Sequence, residues 1–215
     1  MAGVPIVYRD TRERVLANYN FIDIASGTGF VVFQGFQTTT DSETTYHLSA
    51  NAINSRPNYL YFVGTGDIQT TTYDFDTSPF NLPRVIKGIM SINWNQIIYN
   101  DNSPNTWMYV TIEPFKWDGV TETSLASSKR NEEFNQPGGG NYARMENLTF
   151  DISETNFKKG DMLRIRVATT FKSGGSEKGR FYICTNPQNI SQQANIDLTK
   201  GNMYFKVAVP FKIDL

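Results

Sequence analysis

Histidine and cysteine are nearly absent from this 215-residue chain, which has one of each. A single imidazole, His47, excludes a multi-histidine metal centre. No Gly-x-Ser-x-Gly elbow or His-Glu-x-x-His helix accompanies it, so within Thr44-Thr45-Tyr46-His47-Leu48 it reads as a hydrogen-bonded surface or loop residue. The lone Cys184 excludes an internal disulfide and a cysteine cluster for zinc or iron–sulfur. It reads as a small core residue rather than a nucleophile. Twenty basic residues against twenty-one acidic ones leave a formal charge of −1, so nothing draws nucleic acid non-specifically. No apolar run reaches the ~20 residues of a membrane helix, and the N-terminus lacks the basic start and apolar core of a secretory signal, so a soluble product is expected. Neither glycine-rich stretch is followed by Lys-Ser/Thr at a helix start, which removes them as phosphate cradles. No cofactor, catalytic set or metal set is expected, and the chain reads as a non-enzyme.

What the chain has instead is strand chemistry. Eleven Tyr, fifteen Phe and three Trp, with many Thr and Asn, favour pleated, half-buried backbone over helix. The stretch Phe157–Phe171 shows the pattern best. Leu163, Ile165, Val167, Thr169 and Phe171 alternate with Met162, Arg164, Arg166 and Ala168, while Lys158-Lys159-Gly160-Asp161 reads as the turn that delivers them. A one-residue slip would bury both arginines, so the register is fixed. The short Lys172–Ser176 loop suggests that Arg180–Cys184 returns as its hairpin partner. The same period-2 pattern marks Ile86–Trp94, Met108–Ile112, Leu148–Ile152 and Met203–Ile213, the last with Pro210 suggesting an edge or a bend. Asp118-Gly119 suits a tight hairpin turn, and Pro79 and Pro83 break the ladder between two strands.

About ten strands are expected, in an all-β, two-sheet antiparallel sandwich of jelly-roll-like type with no internal repeat. Residues 21–215 are expected to form this single domain. Residues 1–20 read as an N-terminal arm in which Asp10 and Glu13 have capping-box spacing for a short helix over Thr11 to Asn18. The extended, apolar Pro5, Ile6, Val7 and Tyr8 are the candidate inter-subunit contact.

The candidate contact residues lie on one strand. Trp107, Tyr109, Phe115 and Trp117 line the polar side of a segment that is apolar in both phases, so a folded-over loop, a neighbouring subunit or a sugar ring must cover them. Trp107, Tyr109 and Trp117 are therefore the candidate partner- or glycan-contact residues. Asp74 and Asp76 point the same way and, with Asp67, have the makings of a Ca²⁺ site or a carboxylate pair, although a solvated face is the preferred reading. Asn147-Leu148-Thr149 and Asn189-Ile190-Ser191 match glycosylation acceptors, and since no signal peptide is expected the match reads as accidental.

The start Met1–Asp10, the Phe80–Arg84 strand entry, the Lys116–Thr123 turn and Phe157–Ile165 together resemble the β-sandwich virion proteins of marine tailed bacteriophages. That resemblance implies a viral structural role in capsid decoration, cementing or a minor capsid component. It also implies self-association, with a trimer favoured, a major capsid protein as partner, and a virion location after assembly in the host cytoplasm. The alternative is a carbohydrate- or receptor-binding module of a fibre or spike. No membrane partner is expected.

Overall fold

The computed structural model describes residues 17–18, 28–40, 43–51, 58–64, 68–100, 106–136, 140–172, 179–185 and 204–212. The strands are β1 (Ala17–Asn18), β2 (Thr28–Thr40), β3 (Glu43–Ser49), β4 (Asn58–Gly64), β5 (Ile68–Thr77), β6 (Arg84–Asn100) and β7 (Thr106–Trp117). They continue with β8 (Glu122–Ser124), β9 (Lys129–Arg130), β10 (Phe134–Gln136), β11 (Gly140–Phe157), β12 (Met162–Lys172), β13 (Gly179–Thr185) and β14 (Phe205–Lys212). The all-β expectation holds, and there is no helix among the described residues. Of these fourteen strands, β1, β8, β9 and β10 are only two or three residues long, which accounts for the excess over the ten expected.

The strands hydrogen-bond in the order β10-β7-β12-β5-β3-β2-β14-β6-β13-β4, with β8 and β9 also on β7, β11 on β6 and β1 on β2. β3 and β5 run parallel; β12 pairs antiparallel with both β5 and β7. The two halves of this order face each other across one core. Phe75 of β5 stacks on Phe205 of β14 at 4.8 Å between ring centroids, and Ile86, Met90, Ile92 and Trp94 of β6 share the buried cluster with Val110 and Ile112 of β7. The alternating residues thus point as their period requires.

Local turn chemistry is equally direct. Gly160 and Gly119 both have positive φ, at 95° and 96°, which glycine adopts without steric cost. Asp161 N donates to Lys158 O to close one turn, and Asp118 Oδ1 accepts from Val120 N and Thr121 N to close the other. Pro210 marks a bend, not an edge. Its strand is flanked by β2 and β6, and the register with β6 shifts between Ala208 and Phe211, beside Gly88 at φ 113°.

Two expectations are corrected. Arg180–Cys184 lies in β13, which pairs with β4 and β6, whereas β12 is an inner strand between β5 and β7. Short-loop proximity lost to the neighbours that match both faces of β12. The proposed helix over Thr11 to Asn18 cannot extend to its end, because Ala17 and Asn18 pair with Val31 and Phe30 as strand. The rest of that stretch, with the Pro5–Tyr8 arm, lies outside the described residues.

Candidate functional site

Register assembles the site. Along β12, Arg164 stands level with Asp76 of β5 and Phe115 of β7, and Arg166 stands level with Asp74 and Glu113. Residues level across a ladder share a face, so two arginines meet two aspartates on the outer side of the sheet. Arg164 Nε and Nη2 donate to the two carboxylate oxygens of Asp76, each at 2.7 Å. Arg166 does the same to Asp74 at 2.8 and 2.9 Å. These are forked, charge-assisted pairs, whose planar geometry fixes orientation as well as distance.

Glu122 ties the pairs together. The Asp118-Gly119 turn folds β8 back so that Glu122 is level with Trp117, and its carboxylate accepts from Arg164 Nη1 at 2.6 Å and from Arg166 Nη2 at 2.7 Å. Burial pushes the Glu122 carboxyl up, but the arginine hydrogen bonds outweigh it and hold the group below its ordinary value. Hydrogen bonds to Asp76 and Asp74 raise the pKa values of Arg164 and Arg166 in turn. Behind the guanidiniums lie rings, with Arg164 3.7 Å from the Trp117 ring centroid and Arg166 4.8 Å from that of Phe115. Three carboxylates against two guanidiniums leave the cluster one charge negative.

The same row continues past Asp76. β3 places His47 level with Asp76, and β2 places Phe36 level with His47, the two rings 5.1 Å apart. His47 Nε2 lies 3.0 and 2.9 Å from the hydroxyls of Thr38 and Thr45. A groove of about 640 Å³ runs over this row, lined by Phe36, Thr45, His47, Asp74, Asp76 and Arg164 among others. That volume is in the range of small-molecule sites.

The aromatic stripe of the sequence divides. Trp107 and Tyr109 stay together, their rings nearly parallel at 6° with centroids 5.9 Å apart, and Arg130 of β9 lies 4.8 Å from the Tyr109 ring. Trp117 is at the other end of β7 beneath Arg164. Much of the covering comes from arginine side chains, in addition to the loop, subunit or sugar that the sequence pattern suggests. Asp74 and Asp76 meet arginines in place of a Ca²⁺ ion, and Asp67 lies outside the described residues. Sequence reading missed Glu122 and the groove. One signal was available, since Asp74/Asp76 and Arg164/Arg166 share the same i, i+2 spacing, a ready-made complement once two strands align.

No protein family matches the chain, and no curated protein matches it. Among solved structures, a CocE/NonD family hydrolase from Staphylococcus aureus aligns with 13% identity and a TM-score of 0.46, over 83% of this chain and 36% of that one. An aminopeptidase from the marine sediment archaeon Thaumarchaeota archaeon aligns with 9% identity and a TM-score of 0.47, over 83% and 36%. A chain of infectious bursal disease virus, Gx strain, aligns with 11% identity and a TM-score of 0.31, over 86% and 47%. The chain therefore spans about a third of the length of the hydrolases it matches.

These comparisons correct two expectations, the non-enzymatic viral structural role and the absence of enzymatic activity. The better-aligned chains are hydrolases and an aminopeptidase, and the viral chains align less well, with TM-scores of 0.30 and 0.31. What remains of the viral resemblance is a distant structural likeness to a β-rich viral chain. At these identities and TM-scores the likeness carries no activity to this chain.

Proposed function

We propose that the chain binds a saccharide, with one neutral sugar unit seated in the groove over β3, β5 and β12. The carrying observation is the row Phe36–His47–Asp76–Arg164, in which ring faces and fixed polar groups line one groove. A sugar presents hydroxyls in set directions and an apolar C–H face, so it needs rigid acceptors beside an aromatic wall. Each aspartate uses one lone pair per oxygen on its arginine, and a carboxylate has about four lone-pair sites, so acceptor capacity remains toward the groove. The arginines fix those acceptors in place before any ligand arrives, which lowers the ordering cost of binding. The residual negative charge favours a neutral ligand over an acidic one.

Titration calorimetry against a panel of neutral oligosaccharides tests this. His47→Ala removes a groove wall and only exposed hydrogen bonds, so it should weaken binding about tenfold with the melting temperature nearly unchanged. Val120→Ser, at a 91% exposed position in the hairpin turn, should bind like the wild type. A panel without a binder, or a folded His47→Ala protein with undiminished affinity, refutes the reading.

A further inference from the structure

At the other end of the same outer face the electrostatics reverse. Lys172 lies eight residues beyond Arg164 on β12, roughly 27 Å along the strand, and stands level with Trp107 of β7. Thr170 stands level with Tyr109 and hydrogen-bonds across to Thr70 at 3.0 Å. β9 brings Arg130 level with Thr111, from where its guanidinium reaches over Tyr109. Two parallel, half-buried rings are thus bordered by two cations on different strands.

The contrast with Arg164 and Arg166 gives this patch its meaning. Those two spend their charge on three carboxylates, whereas neither Lys172 nor Arg130 forms an ion pair with an acidic side chain among the described residues. Unspent positive charge beside exposed ring surface suits a ligand that combines a flat C–H face with an anionic substituent. We propose that Trp107, Tyr109, Arg130 and Lys172 form a second ligand site, specific for an acidic saccharide carrying carboxylate or sulfate groups.

A single-stranded nucleic acid has the same two features and is the competing occupant. It needs a track of cations that follows successive phosphates. Here Glu113, on the same side of β7, and the exposed Glu132 and Glu133 just after Arg130 interrupt any such track. An acidic sugar with its charge on one or two units meets Lys172 and Arg130 without crossing them. The site stands apart from the groove and does not rest on it.

The experiment follows tryptophan fluorescence and calorimetry of the full chain with oligogalacturonate, dextran sulfate, uncharged dextran and a dT oligomer. In the His47→Ala chain, whose groove is impaired, an acidic saccharide should bind at least about tenfold more tightly than dextran, and added salt should weaken the complex, since exposed charges are screened. Lys172→Gln with Arg130→Gln should reduce affinity for the acidic probe about tenfold or more, and Trp107→Ala should abolish the fluorescence response. His47→Ala should leave this binding intact, so failure of the groove and failure of this site are separable. The proposal falls if no acidic saccharide binds, if the Lys172→Gln/Arg130→Gln protein binds as tightly as the wild type, or if dT binds more tightly than every saccharide. Circular dichroism of each variant confirms that the sandwich is intact before its binding is read.

Discussion

Glu122 holds a position out of proportion to its three-residue strand, because one carboxylate receives hydrogen bonds from two guanidiniums. Losing such a partner leaves donors of both arginines short, and hydrogen bonds to charged groups are worth about 1.5–3 kcal/mol each when not fully exposed. Glu122→Gln keeps the shape and one acceptor, so about 1–2 kcal/mol of stability should go. The pH dependence has a definite sign. The folded carboxyl lies below its ordinary 4.5, so its stabilisation is complete above pH 4.5 and is lost as pH falls through the lower folded value. Asp161 is pushed up by burial, but hydrogen bonds from Lys116 and the Lys158 amide together outweigh this and hold it below its ordinary value, so it adds to the same acid loss. Urea denaturation from pH 7 to 3 should show a shallower acid decline in Glu122→Gln than in wild type; identical slopes would mean that the network does not couple to folding.

At the scale of the strand, close approach between neighbouring strands decides which substitutions are tolerated, because the register that sets Lys206 level with Gln34 puts Phe205 of β14 beside Gly35. Gly35 of β2 has no side chain because the Phe205 ring occupies the space. A Cβ there would lie 2.5 Å from Phe205 Cδ1, inside van der Waals contact. Phe205 is fully buried and stacked on Phe75, so it has little room to yield. Gly35→Ala should therefore cost about 1–3 kcal/mol, an overpacking penalty, visible as a lower urea midpoint. A Gly35→Ala protein of wild-type stability would show that β2 and β14 can separate locally. Strand edges are managed in the same spirit. β11 is eighteen residues long and pairs only with β6 among the described residues. Lys129 Nζ donates to Thr149 O at 2.6 Å and Lys116 Nζ to Asn156 O at 2.8 Å, so lysines cap carbonyls of β11 and put charge beside it.

Across the whole molecule, the two layers are joined by polar as well as apolar contacts. Asn131, in the segment between β9 and β10, accepts from Val110 N at 2.7 Å and donates to Gln96 Oε1 at 3.3 Å; Trp94 Nε1 donates to the same oxygen at 3.2 Å. Gln96 Nε2 in turn donates to Glu146, which Arg144 pairs at 2.6 Å. Asn131 and Gln96 are buried, so their partners have no water to fall back on. Asn131→Leu should destabilise the domain by about 2–3 kcal/mol by stranding the Val110 amide. Hydrogen exchange provides the check, since the Val110 amide should lose protection; retained protection together with unchanged stability would rule out the network as a tie between layers.

The sequence by itself determined which residues face inward and where the chain turns. Period-2 alternation at Leu163–Phe171, Ile86–Trp94 and Met108–Ile112 follows from backbone geometry, and the Asp118-Gly119 and Lys158–Asp161 turns follow from glycine's access to positive φ. Both are local properties, written within a few residues. Only the tertiary structure decided which strands are neighbours. Arg164 and Asp76 are 88 residues apart, Arg166 and Glu122 are 44 apart, and His47 reaches the same row through a parallel pairing that no hairpin rule predicts. Candidate sites on this face are therefore products of register between distant strands. A single alternating strand cannot indicate which partner will complete its charges, because every antiparallel neighbour of suitable pattern satisfies its backbone equally well.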